Sequence, residues 1–207
     1  MPTLPMAAPP SEAPVKPSGD NDSPDIDTLK HRVSESDRAA FEKLFRQLSP
    51  RIFRFVRGML SSDATAYDIT QDTFAKLWDI RATLDDVDTL EPYLFQMARH
   101  RVYNRKRDER TRRDNEALLA DALHPESSAS PESELDAELL RDLFDQWIGE
   151  LPPRQREALT LRRTQEMSHK AIAEIMDIAP STVNNHIVRA LEHLRNRLRE
   201  HRPDLLP

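Results

Sequence analysis

An all-α protein, built as two small helical domains on a flexible acidic linker, is what this sequence predicts, and three observations predict it. Apolar residues recur at helical spacing through most of the chain. No segment sustains the period-two alternation of β-branched residues that marks a strand. A polar stretch over 108–136, containing His-Pro-Glu-Ser-Ser-Ala-Ser-Pro-Glu, divides the periodic segments into two sets.

The elements follow in order. Residues 1–33 hold 7 of the 16 prolines and few large apolar groups, so they read as a disordered proline-rich extension. A helical domain is expected over 34–107. Phe41, Leu44, Phe45 and Leu48 form one helical set, and Ile52, Phe55, Val56, Met59 and Leu60 another. Ser49-Pro50 between them reads as an N-cap and a first-turn proline, hence a break. Further helices are expected at about 64–81 and about 90–107, the latter capped by Asp88 or Thr89. After the linker a second domain spans 137–200, with helices from Leu140 through Ile148 and at about 153–164, 168–177 and 181–199, before a tail at 201–207.

Composition excludes several kinds of chemistry. The 207 residues include no cysteine, which removes disulfides, thiolate metal sites and a cysteine nucleophile. Three isolated glycines cannot build a phosphate-cradling loop. The scattered carboxylates and seven histidines offer no metal site, no cofactor site and no general-base constellation, so no enzyme is predicted; His186 and His193 read as surface or DNA-proximal groups. Without a signal-like start or a long apolar run, a cytoplasmic protein with no membrane insertion is expected.

The formal net charge of −6 argues against a nucleic-acid partner until it is divided. Residues 93–113 carry eight cations against two acids, net +6. Residues 114–150 carry one against eleven, net −10, and 151–207 carry ten against seven, net +3. Two basic segments flank a strongly acidic one.

The second domain contains a helix-turn-helix pattern. Ile172, Ile175 and Met176 give a first buried face, Ile178 fills the turn, and Val183, Ile187, Ala190, Leu191, Leu194 and Leu198 give a second. Asp177 stands where such turns often take glycine for positive φ. The opposite face of the second helix carries Ser181, Asn185, Arg189, Glu192 and Asn196, with Asn184 and Val188 alongside, and residues 181–191 contain no acid. Amides and an arginine there suit base edges in a major groove.

In the first domain, Asp68, Asp72, Ala75 and Asp79 share one helix face, which reads either as a solvated surface or as a dock for a basic helix. On the next helix Gln96, Arg99, Tyr103 and Lys106 form an outward row with His100, Asn104 and Arg107 beside it. Cations interleaved with rings and amides suit single-stranded nucleic acid. Phe95 reads equally as core or as a stacking ring.

These motifs, in this order, resemble the extracytoplasmic-function (ECF) group of bacterial sigma factors. Asp68-Ile-Thr-Gln71-Asp72-Thr-Phe74-Ala-Lys-Leu77-Trp78 is similar to the group's region 2. So is Tyr93-Leu94-Phe95-Gln-Met-Ala98-Arg99, while Leu151-Pro-Pro-Arg-Gln-Arg-Glu157 and the helix-turn-helix resemble region 4. The resemblance implies that Asp68, Gln71, Asp72 and Asp79 engage the clamp helices of the largest RNA polymerase subunit, with the flap as a further contact. It implies that the loop at 82–91 captures melted minus-ten DNA and that Arg99, His100, Tyr103, Asn104, Lys106 and Arg107 hold it. It implies minus-thirty-five reading by Ser181, Thr182, Asn184, Asn185 and Arg189, with Lys170, Arg162 and Arg163 on phosphates. An anti-sigma partner and a linker threaded along the RNA exit path are also implied. His100 stands where the group often has Asn, and Ala171 where it often has Glu. The competing reading is a two-component or quorum-sensing regulator, which requires an α/β or ligand-binding domain upstream.

Overall fold

The computed structural model describes residues 25–60, 62–117, 135–165 and 167–201; among them there is no strand. Helix α1 (Ile26–Ser34) buries Leu29 and Val33 completely. It occupies the end of a segment expected to be disordered, and the physical reason is local. Ile26, Leu29 and Val33 fall at i, i+3 and i+7, and the stripe they form packs on the helix that follows. The proline-rich remainder, 1–24, lies outside the described residues.

Helix α2 (Arg38–Met59) starts at Asp37, whose side chain accepts from the Ala39 and Ala40 amides at 2.8 and 3.1 Å. The Ala40 bond, and then the Arg32 guanidinium at 2.6 Å, hold that carboxyl below its usual range. No break occurs at Ser49-Pro50: α2 runs through Pro50 as one helix. Proline forfeits one backbone bond there. Leu44 and Leu48 before it and Ile52, Phe55, Val56 and Met59 after it share one buried stripe, and that burial carries the helix across.

Helix α3 (Asp63–Asp79) is capped by Ser62, which accepts from the Thr65 amide at 3.2 Å. Its buried Thr70 and Thr73 donate to the carbonyls of Ala66 and Ile69 at 2.8 and 2.7 Å, so neither hydroxyl is orphaned. Phe74 and Trp78 meet Phe41 and Phe45 of α2 in an aromatic group with centroids 4.8–6.4 Å apart. A 3-10 turn (Arg81–Asp86) leads to helix α4 (Leu90–Ala117). This helix was expected to end near 107; its i,i+4 pairs Arg105–Glu109 and Arg110–Asp114 extend it into the charged stretch. Residues 118–134, the centre of the acidic linker, lie outside the described residues.

The second helical set comprises α5 (Leu135–Glu150), α6 (Pro153–Gln165), α7 (His169–Met176) and α8 (Pro180–His201). Ser168 caps α7 through the Ala171 amide at 3.2 Å, and Asp177 sits at φ 54°, ψ 54°, as the turn requires. Trp147, Leu151, Leu159, Ala190 and Leu194 form a small cluster that seats α5 on α6 and α8. Leu191, expected in this stripe, is 47% exposed: at 100° per residue it falls at the edge of the line through Val183, Ile187, Ala190 and Leu194.

The two sets are not held apart. Ala158, Leu161, Ile172, Ile175, Met176, Val183 and Ile187 join the same apolar core as Leu29, Phe55, Phe74, Leu94 and Val102. Helix α6 lies on α2 and α7 on α4. The approach is close at Gly58, where any Cβ would meet Thr160 Cγ2 at 2.6 Å.

Candidate nucleic-acid interface

The row expected to face outward on α4 is partly turned inward. Arg99 is only 9% exposed, and its guanidinium pairs with the fully buried carboxylate of Glu157 on α6. The Tyr103 hydroxyl donates to the other oxygen of Glu157 at 2.8 Å. Arg154 approaches that oxygen at 3.6 Å, and the Arg99 guanidinium lies 5.0 Å from the Tyr103 ring centre. The row sits inward because Arg99 continues the stripe of Leu94, Phe95, Ala98 and Val102, all buried. Burial, followed by the charge of Glu157, pushes the Tyr103 phenol up to about 12. Lys106, half-buried, has its ammonium pushed down by burial and by Arg156. His100, Asn104 and Arg107 remain exposed. Phe95 belongs to the core, 5.5 Å from Phe55.

The loop preceding α4 is pinned from both sides. Lys30 of α1 donates to the Val87 carbonyl at 2.7 Å, and Asp85 accepts from Ser34 at 2.8 Å and from His31 at 3.2 Å. Those two bonds, Ser34 first, hold the Asp85 carboxyl below its usual range. From α7, Glu174 takes the Thr89 hydroxyl at 2.9 Å, and its backbone carbonyl takes the Gln96 amide at 2.8 Å.

Two other faces are left clear. Asp68, Gln71, Asp72 and Asp79 are all exposed on α3, beside Tyr67 at 48% exposure, and none of the three carboxylates is in an ion pair among the described residues. On α8, Ser181, Asn184, Asn185, Val188 and Arg189 are exposed and Thr182 is half-buried, with Lys170 exposed on α7. Arg162 and Arg163 are committed nearer home: Arg162 donates to the Met167 carbonyl at 2.8 Å, and Arg163 lies 3.7 Å from Asp145.

The family model for Sigma-70 region 2 matches residues 44–112, and that for Sigma-70 region 4 matches residues 141–194. The chain is 30% identical over 169 residues to the RNA polymerase sigma factor CarQ of Myxococcus xanthus, covering 82% of this chain and 95% of CarQ. It is 29% identical over 178 residues to the ECF RNA polymerase sigma-E factor of Haemophilus influenzae, covering 82% and 93%. This chain belongs to the ECF sigma factors. Promoter-directed initiation by core RNA polymerase is therefore its function, and the regulator reading, which needs an upstream α/β domain, is not favoured by a first domain that is helical throughout its described residues. In structure this sigma factor is similar to RpoE, solved in complex with the anti-sigma factor NepR from Bartonella quintana. That match has a TM-score of 0.58 and 26% identity, and covers 78% of this chain and 98% of RpoE. It has the fold of CnrH, solved with the cytosolic domain of CnrY, at a TM-score of 0.62 and 20% identity, covering 84% and 97%. No helix among its described residues is long and apolar enough to cross a membrane.

Sequence reasoning missed the residues that cover the α4 face of this sigma factor: Glu157, Arg154 and Glu174. Only one cue existed. Glu157 follows an apolar-poor run of charges yet stands one place before Ala158-Leu159, where α6 turns inward.

Proposed function

We propose that this sigma factor divides promoter work among three faces. The acidic face of α3, with Asp68, Gln71, Asp72 and Asp79, docks on the basic clamp helices of the largest polymerase subunit. The α4 face, with Arg99, His100, Tyr103, Asn104, Lys106 and Arg107, holds the melted minus-ten strand, cations on phosphates and the ring against bases. The α8 face reads the minus-thirty-five duplex through Ser181, Thr182, Asn184, Asn185 and Arg189, with Lys170, Arg162 and Arg163 near the backbone. Residues 34–107 and 137–200 are the working domains, and 108–136 the connection between them. The protein acts in the cytoplasm without chemistry of its own, restrained by an anti-sigma factor. RpoE of Bartonella quintana, solved with NepR, supports that last partner.

One observation carries the division: when the two helical sets pack together, the α3 and α8 faces stay exposed, and neither the three carboxylates of α3 nor Arg189 of α8 has an ion-pair partner among the described residues. The test is run-off transcription and holoenzyme assembly. Asp68→Arg with Asp72→Arg should reduce core polymerase binding by about 100-fold, two charge reversals being worth on the order of 3 kcal/mol, while duplex binding through α8 is unchanged. Undiminished assembly would remove α3 from the polymerase contact.

A further inference from the structure

Glu157 is the one fully buried carboxylate among the described residues. One of its oxygens takes the Arg99 guanidinium; the other takes the Tyr103 hydroxyl at 2.8 Å and faces Arg154 at 3.6 Å. Lys106 and Arg156 are half-buried close by, each held below its ordinary pKa by loss of water. A guanidinium and a phenol thus converge from α4 on a single delocalised anion, with the Lys106 ammonium near enough to feel its charge, and this is the donor set a phosphodiester oxygen pair would meet. Arg99 and Arg154 on one carboxylate, with Lys106 nearby, leave the pocket with positive charge to spare. As a stabilising device the arrangement is poor, since a buried ion pair holds a contact no better than packed apolar groups would. As an exchangeable contact it makes sense.

We propose that Glu157 is an internal surrogate for a DNA phosphate: the Arg99–Tyr103–Lys106 subsite on α4 holds either Glu157, with α6 and α7 docked over it, or a backbone phosphate of the melted strand, with them displaced. The proposal rests on the reading of α4 as the single-strand face. In the docked state Thr89 and Gln96 are also occupied, by Glu174, so the covering extends to the loop before α4. The reading face of α8 is exposed in that same state. A docked chain therefore accepts duplex but refuses single strand, and release of Glu157 is the step that exposes the minus-ten face.

The test uses the full chain. It has no cysteine, so Lys43→Cys and Arg195→Cys, both at exposed positions, supply a donor and an acceptor dye for energy transfer between the two helical sets. The binding probe is a labelled random-sequence single strand about 15 nucleotides long. Two variants undock the sets by unrelated means: Glu157→Gln removes the surrogate charge, and Gly58→Leu drives a side chain into Thr160. Both should lower energy transfer and tighten single-strand binding at least about tenfold, as release of a docked majority requires. Arg99→Ala should also lower transfer yet bind the strand more weakly than Glu157→Gln. If transfer falls in both undocking variants while single-strand affinity stays at the parent value, Glu157 does not compete with phosphate and the proposal is overturned. Failure of the underlying reading looks different: adding Arg99→Ala and Lys106→Ala to Gly58→Leu would then leave single-strand affinity unchanged.

Discussion

Helices α4 and α8 are the two elements proposed to face DNA, and they are kept in opposite conditions. On α4 the central arginine is buried against a carboxylate, the tyrosine is hydrogen-bonded to the same group, and the adjoining loop is tied to α7. On α8 the amides and Arg189 stand in solvent with no acid between residues 181 and 191. The difference fits what each is proposed to bind. Duplex DNA presents its base edges at all times, so a reader of duplex can stay open. Single-stranded DNA exists only after melting, and a permanently open cationic and aromatic surface would collect any unpaired nucleic acid.

The largest effect should come from breaking the buried pair. Glu157→Ala leaves Arg99 charged and without its partner in the docked state, and should cost about 3–5 kcal/mol in urea denaturation. Arg99→Leu combined with Glu157→Leu should recover most of that loss, because two apolar groups of suitable size replace two desolvated charges. A double variant as unstable as the single one would mean that the pair, not the packing around it, holds the two sets together.

The α8 side of the comparison is tested by specificity. Arg189→Ala should cost about 1–3 kcal/mol at one promoter position and relax selectivity there. Lys170→Ala should weaken binding almost uniformly across promoter sequences and reduce the salt dependence. The measurement is binding to a set of single-substitution promoter duplexes. Matching profiles for the two variants would reassign one of them.

Tyr103 gives the α4 contact a signature at high pH. Its hydroxyl faces Glu157 and Arg154 from α6 and Arg99 on its own helix, and its pKa in the docked state is about 12. Released, the phenol returns to about 10. Below pH 10 it is protonated in both states and the bond is intact. Between 10 and 12 the released phenol ionises while the docked one does not, so the docked state loses stability as pH rises through that window. Energy transfer between the helical sets should fall more steeply there in the parent than in Tyr103→Phe. At neutral pH the Phe variant should lose about 1–2 kcal/mol, the low part of the range for a bond to a charged acceptor, since the ring is half-exposed.

What the sequence reveals of this fold is what repeats along one helix. The stripes of α2, α3, α7 and α8 are periodic because each element buries one side, and Asp177 is legible because the turn between α7 and α8 demands positive φ. Contacts between distant elements leave no such trace. Arg99 and Glu157 are 58 residues apart, each in a charge-rich setting where one more ion looks like surface. Helix α1 escapes notice because its stripe is three residues long and follows a run of prolines. The continuity of α2 through Pro50 is a tertiary effect, set by burial on both sides of a residue that locally argues for a break. The candidate faces were therefore legible as lists of residues. Which of them the folded chain covers was not.

The smallest effect concerns strain, and it compares the two halves once more. Two non-glycine residues have positive φ among the described residues: Ser36 at 68°, before α2, and Asp177 at 54°, between α7 and α8. Removing Cβ relieves each conformation by about 1 kcal/mol, less what the more flexible unfolded chain takes back. The side chains differ in what else they do. Ser36 Oγ accepts from Arg81 Nε at 2.8 Å and so helps fix the turn ahead of the α4 loop, whereas the Asp177 carboxylate is exposed and has no partner among the described residues. Asp177→Gly should therefore raise stability by about 0.5 kcal/mol in thermal unfolding and leave promoter selectivity as it is. Ser36→Gly should gain nothing, because the lost hydrogen bond offsets the relieved strain. Equal gains at the two positions would show that the Arg81 bond does not hold the first domain's turn, and with it that the pinning of the loop before α4 rests on Lys30, Asp85 and Glu174.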